Sequence, residues 1–278
     1  MTLERFATFA EGLDHPEGIA WDPRGHVVAG GEAGQIYEVS LDGEVVVIAN
    51  TGGFVLGLAL DARSRIYACD QGRHQVLRID PVSGEVSTYS SGAPQAGMRV
   101  PNYLAFAGDG TLYVTDSGGW GANDGTVFRV RPGGETQVWT GEPRRFPNGC
   151  CLTPEGDALI VVESTWPGVS RIPIRPDGSA GEPEPIAEVG VVPDGVAFSA
   201  DGTLFVSCYR PDAIYWIASG RPELLVEDPA GTLIAAPTNI AFGGDDLKTL
   251  LVANLARWHL TKADLGIRGA PLRYPDVP

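Results

Sequence analysis

Short apolar runs, most of them opened by proline and a polar residue and closed by a turn, recur six times along the chain. Pro16-Glu17-Gly18-Ile19-Ala20-Trp21 is followed by a weaker copy, Val55-Leu56-Gly57-Leu58-Ala59-Leu60. Then come Pro101-Asn102-Tyr103-Leu104-Ala105-Phe106, Pro147-Asn148-Gly149-Cys150-Cys151-Leu152, Pro193-Asp194-Gly195-Val196-Ala197-Phe198 and Pro237-Thr238-Asn239-Ile240-Ala241-Phe242. The second residue of the phrase recurs at intervals of 39, 46, 46, 46 and 44 residues, within the roughly 40–50 residues of a propeller blade. A turn follows eight residues after that position, at Gly25, Ser64, Gly110, Gly156, Gly202 and Asp246. Asp109-Gly110 and Asp201-Gly202 are strong hairpin signals.

After each turn a second run is rich in β-branched and aromatic residues, as in Thr111-Leu112-Tyr113-Val114 and Thr203-Leu204-Phe205-Val206, which suits a pleated, buried strand. A third follows at Gln35–Val39, Gln75–Ile79, Thr126–Val130 and 213–217, and a fourth at places such as 44–47 and 135–139. Four antiparallel strands per copy make a propeller blade. The pattern therefore predicts an all-β protein, a six-bladed β-propeller formed as one domain over residues 1–278. The last copy runs short of strands, whereas residues 5–9 precede the first copy with nothing to pair with. That N-terminal segment is expected to close the ring on the last blade. With 37 Gly and 22 Pro punctuating the chain, no helix of any length is indicated. Residues 90–100 and 120–124 are expected as loops over one face, and 176–185 as a loop on the other.

In a propeller the first strand of each blade lines the central channel, so the six second-position residues, Glu17, Leu56, Asn102, Asn148, Asp194 and Thr238, form a ring at one mouth. Antiparallel pairing brings the end of each second strand to the same mouth, with Glu32, Asp70, Asp116, Glu163, Tyr209 and Asn254 there. Polar residues are ordinary in that outer ring. The inner ring is different, because a tightly packed entrance favours apolar side chains and converging carboxylates need a counterion. Two carboxylates and two carboxamides, with no histidine or thiol, describe an oxygen site for a hard cation such as Ca²⁺, Mg²⁺ or Mn²⁺.

Charge supports a small ligand. With 35 acidic and 20 basic residues the net charge is −15, which repels phosphate backbones and excludes nucleic acid and anionic membrane as partners. No apolar run approaches the roughly 20 residues of a membrane span, and the N-terminus lacks a secretory pattern. A soluble, cytoplasmic monomer or dimer is expected. Cys69, Cys150, Cys151 and Cys208 fall in apolar runs and read as buried reduced thiols. His15, His26, His74 and His259 have no paired spacing. No G-x-S-x-G supports a serine nucleophile, and Ser117 reads as a loop residue.

At these positions the chain resembles the senescence-marker-protein, gluconolactonase and luciferin-regenerating-enzyme-like family. Glu17-Gly18, Pro147-Asn148-Gly149, Pro193-Asp194-Gly195 and the stretch Phe242-Gly243-Gly244-Asp245-Asp246-Leu247-Lys248-Thr249-Leu250 carry the resemblance, which covers nearly the whole chain. It implies one catalytic divalent cation, Ca²⁺ foremost, with Mg²⁺, Mn²⁺ or Zn²⁺ as alternatives, held by Glu17, Asn148 and Asp194. It further implies that Asn102 contacts the cation, its water or the substrate. The cation would polarise a lactone or ester carbonyl of a small-molecule substrate, with Asp194 as general base.

The sugar-lactone members carry an arginine two residues before the third-blade Asn, but that place is Val100 here and the neighbouring arginine is Arg99. Arg99, Asp116, Tyr103, Trp120, Trp166 and Tyr209 are expected near the substrate. The aromatic set, with Phe54 and Trp258, favours a less polar substrate than an aldonolactone. Phosphotriester hydrolysis, metal-dependent isomerisation or cyclisation, and a structural or buffering cation are alternatives. Three or four protein ligands leave open coordination positions, which favours catalysis.

Overall fold

In the computed structural model, residues 2–278 are described, and they form six four-stranded antiparallel sheets arranged as blades around a channel. Counted from the channel outward, blade 1 is Ile19–Asp22, His26–Gly30, Gln35–Val39 and Val45–Asn50, and blade 2 is Val55–Leu60, Ile66–Asp70, Gln75–Ile79 and Val86–Ser90. Blade 3 is Pro101–Phe106, Leu112–Asp116, Thr126–Val130 and Thr136–Thr140, and blade 4 is Pro147–Leu152, Ala158–Glu163, Gly168–Pro173 and Glu184–Glu188. Blade 5 is Val192–Phe198, Leu204–Arg210, Ala213–Ala218 and Arg221–Glu227. Blade 6 takes Pro237–Gly243, Thr249–Asn254 and His259–Asp264 from the C-terminal part of the chain, and Phe6–Glu11 from the N-terminal part.

Ring closure by the N-terminal strand is therefore observed, with Phe6 opposite Ala263 and Glu11 opposite His259. It hides the hydrogen-bonding edge of His259–Asp264, which would otherwise invite pairing with another chain. Among the described residues the sole helix is a 3-10 turn, Leu3–Arg5, and no helix is long and apolar enough to cross a membrane. Residues 90–100 are not plain loop, because Gly92–Ala93 pairs with Ala96–Gly97. Likewise 176–185 is partly ordered by an Ile174–Ala180 bridge and by the start of the outer strand of blade 4.

Middle strands are buried on both faces, as Ala158–Glu163 is along its whole length, which explains their near-continuous apolar sequence. Outer strands such as Val45–Asn50 are half-exposed. Aromatic side chains fill the spaces between blades: Tyr67 meets Phe106 edge-on at 4.8 Å and Phe205 meets Phe242 at 5.3 Å. Such pairs add roughly 0.5–1.5 kcal/mol beyond area burial.

Two features position the site. The ladder between first and second strands is interrupted just after the opening residue in blades 2 to 6, for example between Pro147 and Cys150. Such irregularities re-aim side chains, and here they fall on the second-position residues. The blades also approach closely at the next residue. A Cβ on Gly149 would lie 2.2 Å from the Asp194 carbonyl oxygen, and one on Gly57 would lie 2.7 Å from Tyr103 Cα, so glycine is the residue that fits.

The C-terminal segment after Asp264 straps the opposite face. Gly269 and Ala270 donate to Leu247 and Phe198 carbonyls, Tyr274 donates to the Trp21 carbonyl at 2.7 Å, and Ala62 donates to Pro275. Val277 ends fully buried in the core shared by blades 2 and 3. Above this strap the channel holds an apolar cavity of about 180 Å³, lined by a level of small residues that includes Ala20, Ala59, Cys151 and Ala241.

Candidate functional site

The six second-position side chains do form a buried ring. Glu17, Asn102, Asn148 and Asp194 are only 4%, 5%, 5% and 6% exposed, with Leu56 and Thr238 completing the wall. Interblade contacts close the ring: Thr238 Oγ1 and Asn239 Nδ2 each donate to the Glu17 carbonyl at 2.9 Å, and Thr115 Oγ1 donates to the Asn148 carbonyl at 2.7 Å.

Nine buried side-chain N or O atoms among the described residues lack a hydrogen-bond partner, and four of them are Glu17 Oε2, Asn102 Oδ1, Asn148 Oδ1 and Asp194 Oδ1. A buried unsatisfied polar atom costs about 1–3 kcal/mol, and native proteins keep few of them. Four on one ring mark a place built for a ligand that accepts oxygen donors. A fifth, Asn239 Oδ1, belongs to the residue following Thr238. No three His, Cys, Asp or Glu side chains converge among the described residues, so the site emerges only when the carboxamides are counted. This donor set fits a hard divalent cation.

Electrostatics point the same way. Burial pushes the Asp194 carboxyl well above the usual range, and the neighbouring Glu17 charge adds to the shift. Burial also raises Glu17, to about 7. Two carboxyls raised in this manner lack a compensating cation from the protein itself.

The amide nitrogens of both ring asparagines are held by serine hydroxyls. Asn102 Nδ2 donates to Ser117 Oγ at 3.0 Å, and Asn148 Nδ2 to Ser164 Oγ at 3.1 Å. Ser117 is thus not a plain loop residue: its side chain is fully buried. Ser164, in the equivalent place of blade 4, is buried as well. A signal was present, since the acid-serine pairs Asp116-Ser117 and Glu163-Ser164 end the second strand only in the two blades whose second position is asparagine.

Outer-ring groups mostly hold the chain segments that lead into the inner ring. Asp116 accepts the N–H groups of Arg99, Val100 and Gly118, Glu163 accepts that of Arg145, Asn254 that of Ala235, and Asp70 that of Phe54. Glu32 is exposed instead, 3.4 Å from His15 Nδ1.

Residues 15–256 match the family model described as "SMP-30/Gluconolactonase/LRE-like region". The chain belongs to this family. The match spans all six ring positions. A 6-deoxy-6-sulfogluconolactonase of Pseudomonas putida is 28% identical over 211 residues, which is 73% of this chain and 65% of that protein. The chain thus spans just under two thirds of that relative's length. A gluconolactonase structure from Xanthomonas campestris superposes with a TM-score of 0.80 at 21% identity, over 95% of this chain and 89% of that one. A calcium-binding regucalcin from Agrobacterium tumefaciens gives 0.78 at 19% identity, over 98% of both chains. At such identities the two structures establish the family's propeller fold.

Around the mouth of this family member, the remaining sequence candidates are spread unevenly. Arg99 gives its guanidinium to Asp124, with Nη1 2.6 Å from Oδ2. Trp120 is 63% exposed and meets Phe146 edge-on at 4.8 Å. Tyr209 and Trp258 are exposed too, and Trp166 is half-buried against Gly168. Tyr103, expected near the substrate, is buried rather than exposed at the mouth. It lies inside the channel, in the inner strand of blade 3, where it lines the apolar cavity. The room for it comes from Gly57 of the neighbouring blade. His15 packs against Trp258 at 5.2 Å and pairs with Asp14 at 3.0 Å, whereas His259 is tied to the Leu233 carbonyl.

Proposed function

We propose that this protein is a divalent-cation-dependent hydrolase of lactones, acting on a less polar ring than an aldonolactone. The observation that carries the reading is the set of four orphaned oxygens, from two carboxylates and two carboxamides, on one buried ring. Glu17, Asn148 and Asp194 would hold the cation, with Asn102 as a further contact and Ca²⁺ as the first expectation. When bound, the cation supplies Lewis-acid polarisation of the lactone carbonyl.

Asp194 is the general base that takes the proton from the attacking water. Its burial, which raises its proton affinity, suits that role. The surrounding Glu17, Asn102 and Asn148 side chains confine the reacting carbonyl to the mouth of the channel. Two features favour a less polar substrate. Val100 stands where an arginine would meet sugar hydroxyls, and the Arg99 guanidinium is taken up by Asp124. Trp120, Trp166, Tyr209 and Trp258 offer apolar faces around the same mouth, each with a polar edge for orientation. Relatives named as gluconolactonases act on lactones by their names, which supports the reaction type.

A panel of alkyl, aryl and sugar lactones, assayed with and without chelator and repeated on Asp194→Ala, tests the reading. Full activity in chelator, or in the variant, would remove the mechanism. A higher kcat/KM for gluconolactone than for alkyl lactones would remove the substrate preference.

A further inference from the structure

Ser117 and Ser164 occupy equivalent places in blades 3 and 4, and each makes two hydrogen bonds. Ser117 Oγ donates to the Pro147 carbonyl at 2.7 Å and receives Asn102 Nδ2 at 3.0 Å. Ser164 Oγ donates to the Pro193 carbonyl at 2.7 Å and receives Asn148 Nδ2 at 3.1 Å. A serine hydroxyl has one proton, and a backbone carbonyl can only accept. The proton is therefore committed to the carbonyl, and what remains toward the asparagine is a lone pair. Only the NH₂ end of the carboxamide can face it. The two ends of an asparagine amide look alike in outline and are told apart by their hydrogen-bond network; here the network permits a single orientation, with the carbonyl oxygen directed to the ring where it is orphaned. Asn239 repeats the device with a backbone acceptor, its Nδ2 donating to the Glu17 carbonyl.

Each serine also links consecutive blades. The carbonyl taken by Ser117 belongs to Pro147, the residue before Asn148, and the carbonyl taken by Ser164 belongs to Pro193, the residue before Asp194. The chain of contacts runs Asn102, Ser117, Pro147-Asn148, Ser164, Pro193-Asp194.

We propose that Ser117 and Ser164 are positioning residues that fix the carboxamides of Asn102 and Asn148 with their oxygens toward the cation position, and that hold the three successive ring oxygens of blades 3, 4 and 5 in register. This inference rests on the cation reading above. Groups that orient metal ligands typically matter by about 10–100-fold in affinity, although they never touch the ion.

The test is calorimetric titration of CaCl₂, and separately MnCl₂, into chelator-treated protein. Ser164→Ala is expected to weaken cation binding by about 10–100-fold, and Ser117→Ala to do the same to a degree set by how closely Asn102 contacts the ion. In an Asn148→Asp background both side-chain oxygens are equivalent and orientation no longer matters. There Ser164→Ala is expected to change affinity by no more than about twofold, the usual error of additivity. A merely structural serine would lower the melting temperature of the chelated protein and leave affinity unchanged in both backgrounds. That result, or an equal loss in both, overturns the proposal while leaving the cation reading intact. Failure of the wild-type protein to bind either cation overturns both. Should an alanine variant not fold, Ser164→Cys keeps nearly the same volume with a poor donor and acceptor, and the same weakening is expected.

Discussion

Glu17 and Asp194 sit within reach of each other's charge in a buried channel, and both carboxyls are raised by that burial. In the absence of a cation, each is a cost to the fold. Asp194→Asn removes one charge at constant shape, so in chelator it is expected to stabilise the protein by about 0.5–2 kcal/mol. The same change is expected to lower kcat/KM for the preferred lactone by about 10²–10⁴-fold. Calorimetry in chelator and steady-state kinetics with the cation check the two halves. Gly149 makes the opposite kind of prediction. A methyl there meets the Asp194 carbonyl oxygen at 2.2 Å and Gly195 Cα at 2.8 Å, backbone that cannot turn aside. Gly149→Ala is expected to destabilise by about 1–3 kcal/mol and to weaken cation binding, read by denaturant melts and by titration. These residues were readable to different degrees. The carboxylates and carboxamides stood out because polar side chains recurred at a channel position. Ser117 and Ser164 did not, because a serine at the end of a strand looks the same whether it faces solvent or a neighbouring blade.

At the scale of elements, the strands were legible from alternating and continuous apolar runs bounded by glycine and proline. The break in the inner ladders of blades 2 to 6 was not, since it depends on pairing across two strands. Closure of blade 6 was inferred from a count of strands, and the observed pairing of Phe6–Glu11 with His259–Asp264 bears it out. Deletion of residues 2–11 removes the buried Phe6 and Ala10 and exposes an unpaired edge. The expected outcome is loss of the cooperative melt and self-association, measured by circular dichroism and by size-exclusion chromatography. The C-terminal strap had no sequence signal, because it is neither periodic nor apolar overall. Its place across the channel follows from scattered hydrogen bonds to blades 1, 2, 4, 5 and 6 and from a few buried side chains, Val277 among them.

The whole molecule carries a net charge of −15, and its ring adds buried negative charge at the channel mouth. Glu17 and Asp194 have folded-state proton affinities above their ordinary values of 4.5 and 3.8, reaching about 7 for Glu17. The protonated forms therefore favour the folded chain. The contribution of Glu17 to stability is complete below its ordinary value and is lost as pH rises through about 7, and that of Asp194 is lost in the same direction as pH rises through its own raised value. In chelator, the melting temperature is expected to fall across that window. The cation reverses the sign, because it competes with protons for the same oxygens. The rise in melting temperature on adding CaCl₂ is therefore expected to grow from pH 4.5 to pH 7, and scanning calorimetry over that range checks it. A CaCl₂ effect independent of pH would count against the two carboxylates as ligands.

By itself the sequence determined the period, the number of blades, the closing strand and the four oxygen-bearing ring residues. Each follows from patterns local to one repeat and compared across six, and polarity at a position that should be apolar is visible without coordinates. Tertiary structure alone decided which of those oxygens lack partners, which way the carboxamides turn, that Asp116 serves the backbone, that Tyr103 lies in the channel, and that Arg99 is held by Asp124. All of these depend on contacts between blades or loops far apart in the chain, where hydrogen-bond satisfaction and close packing choose among conformations that the local sequence leaves equally open.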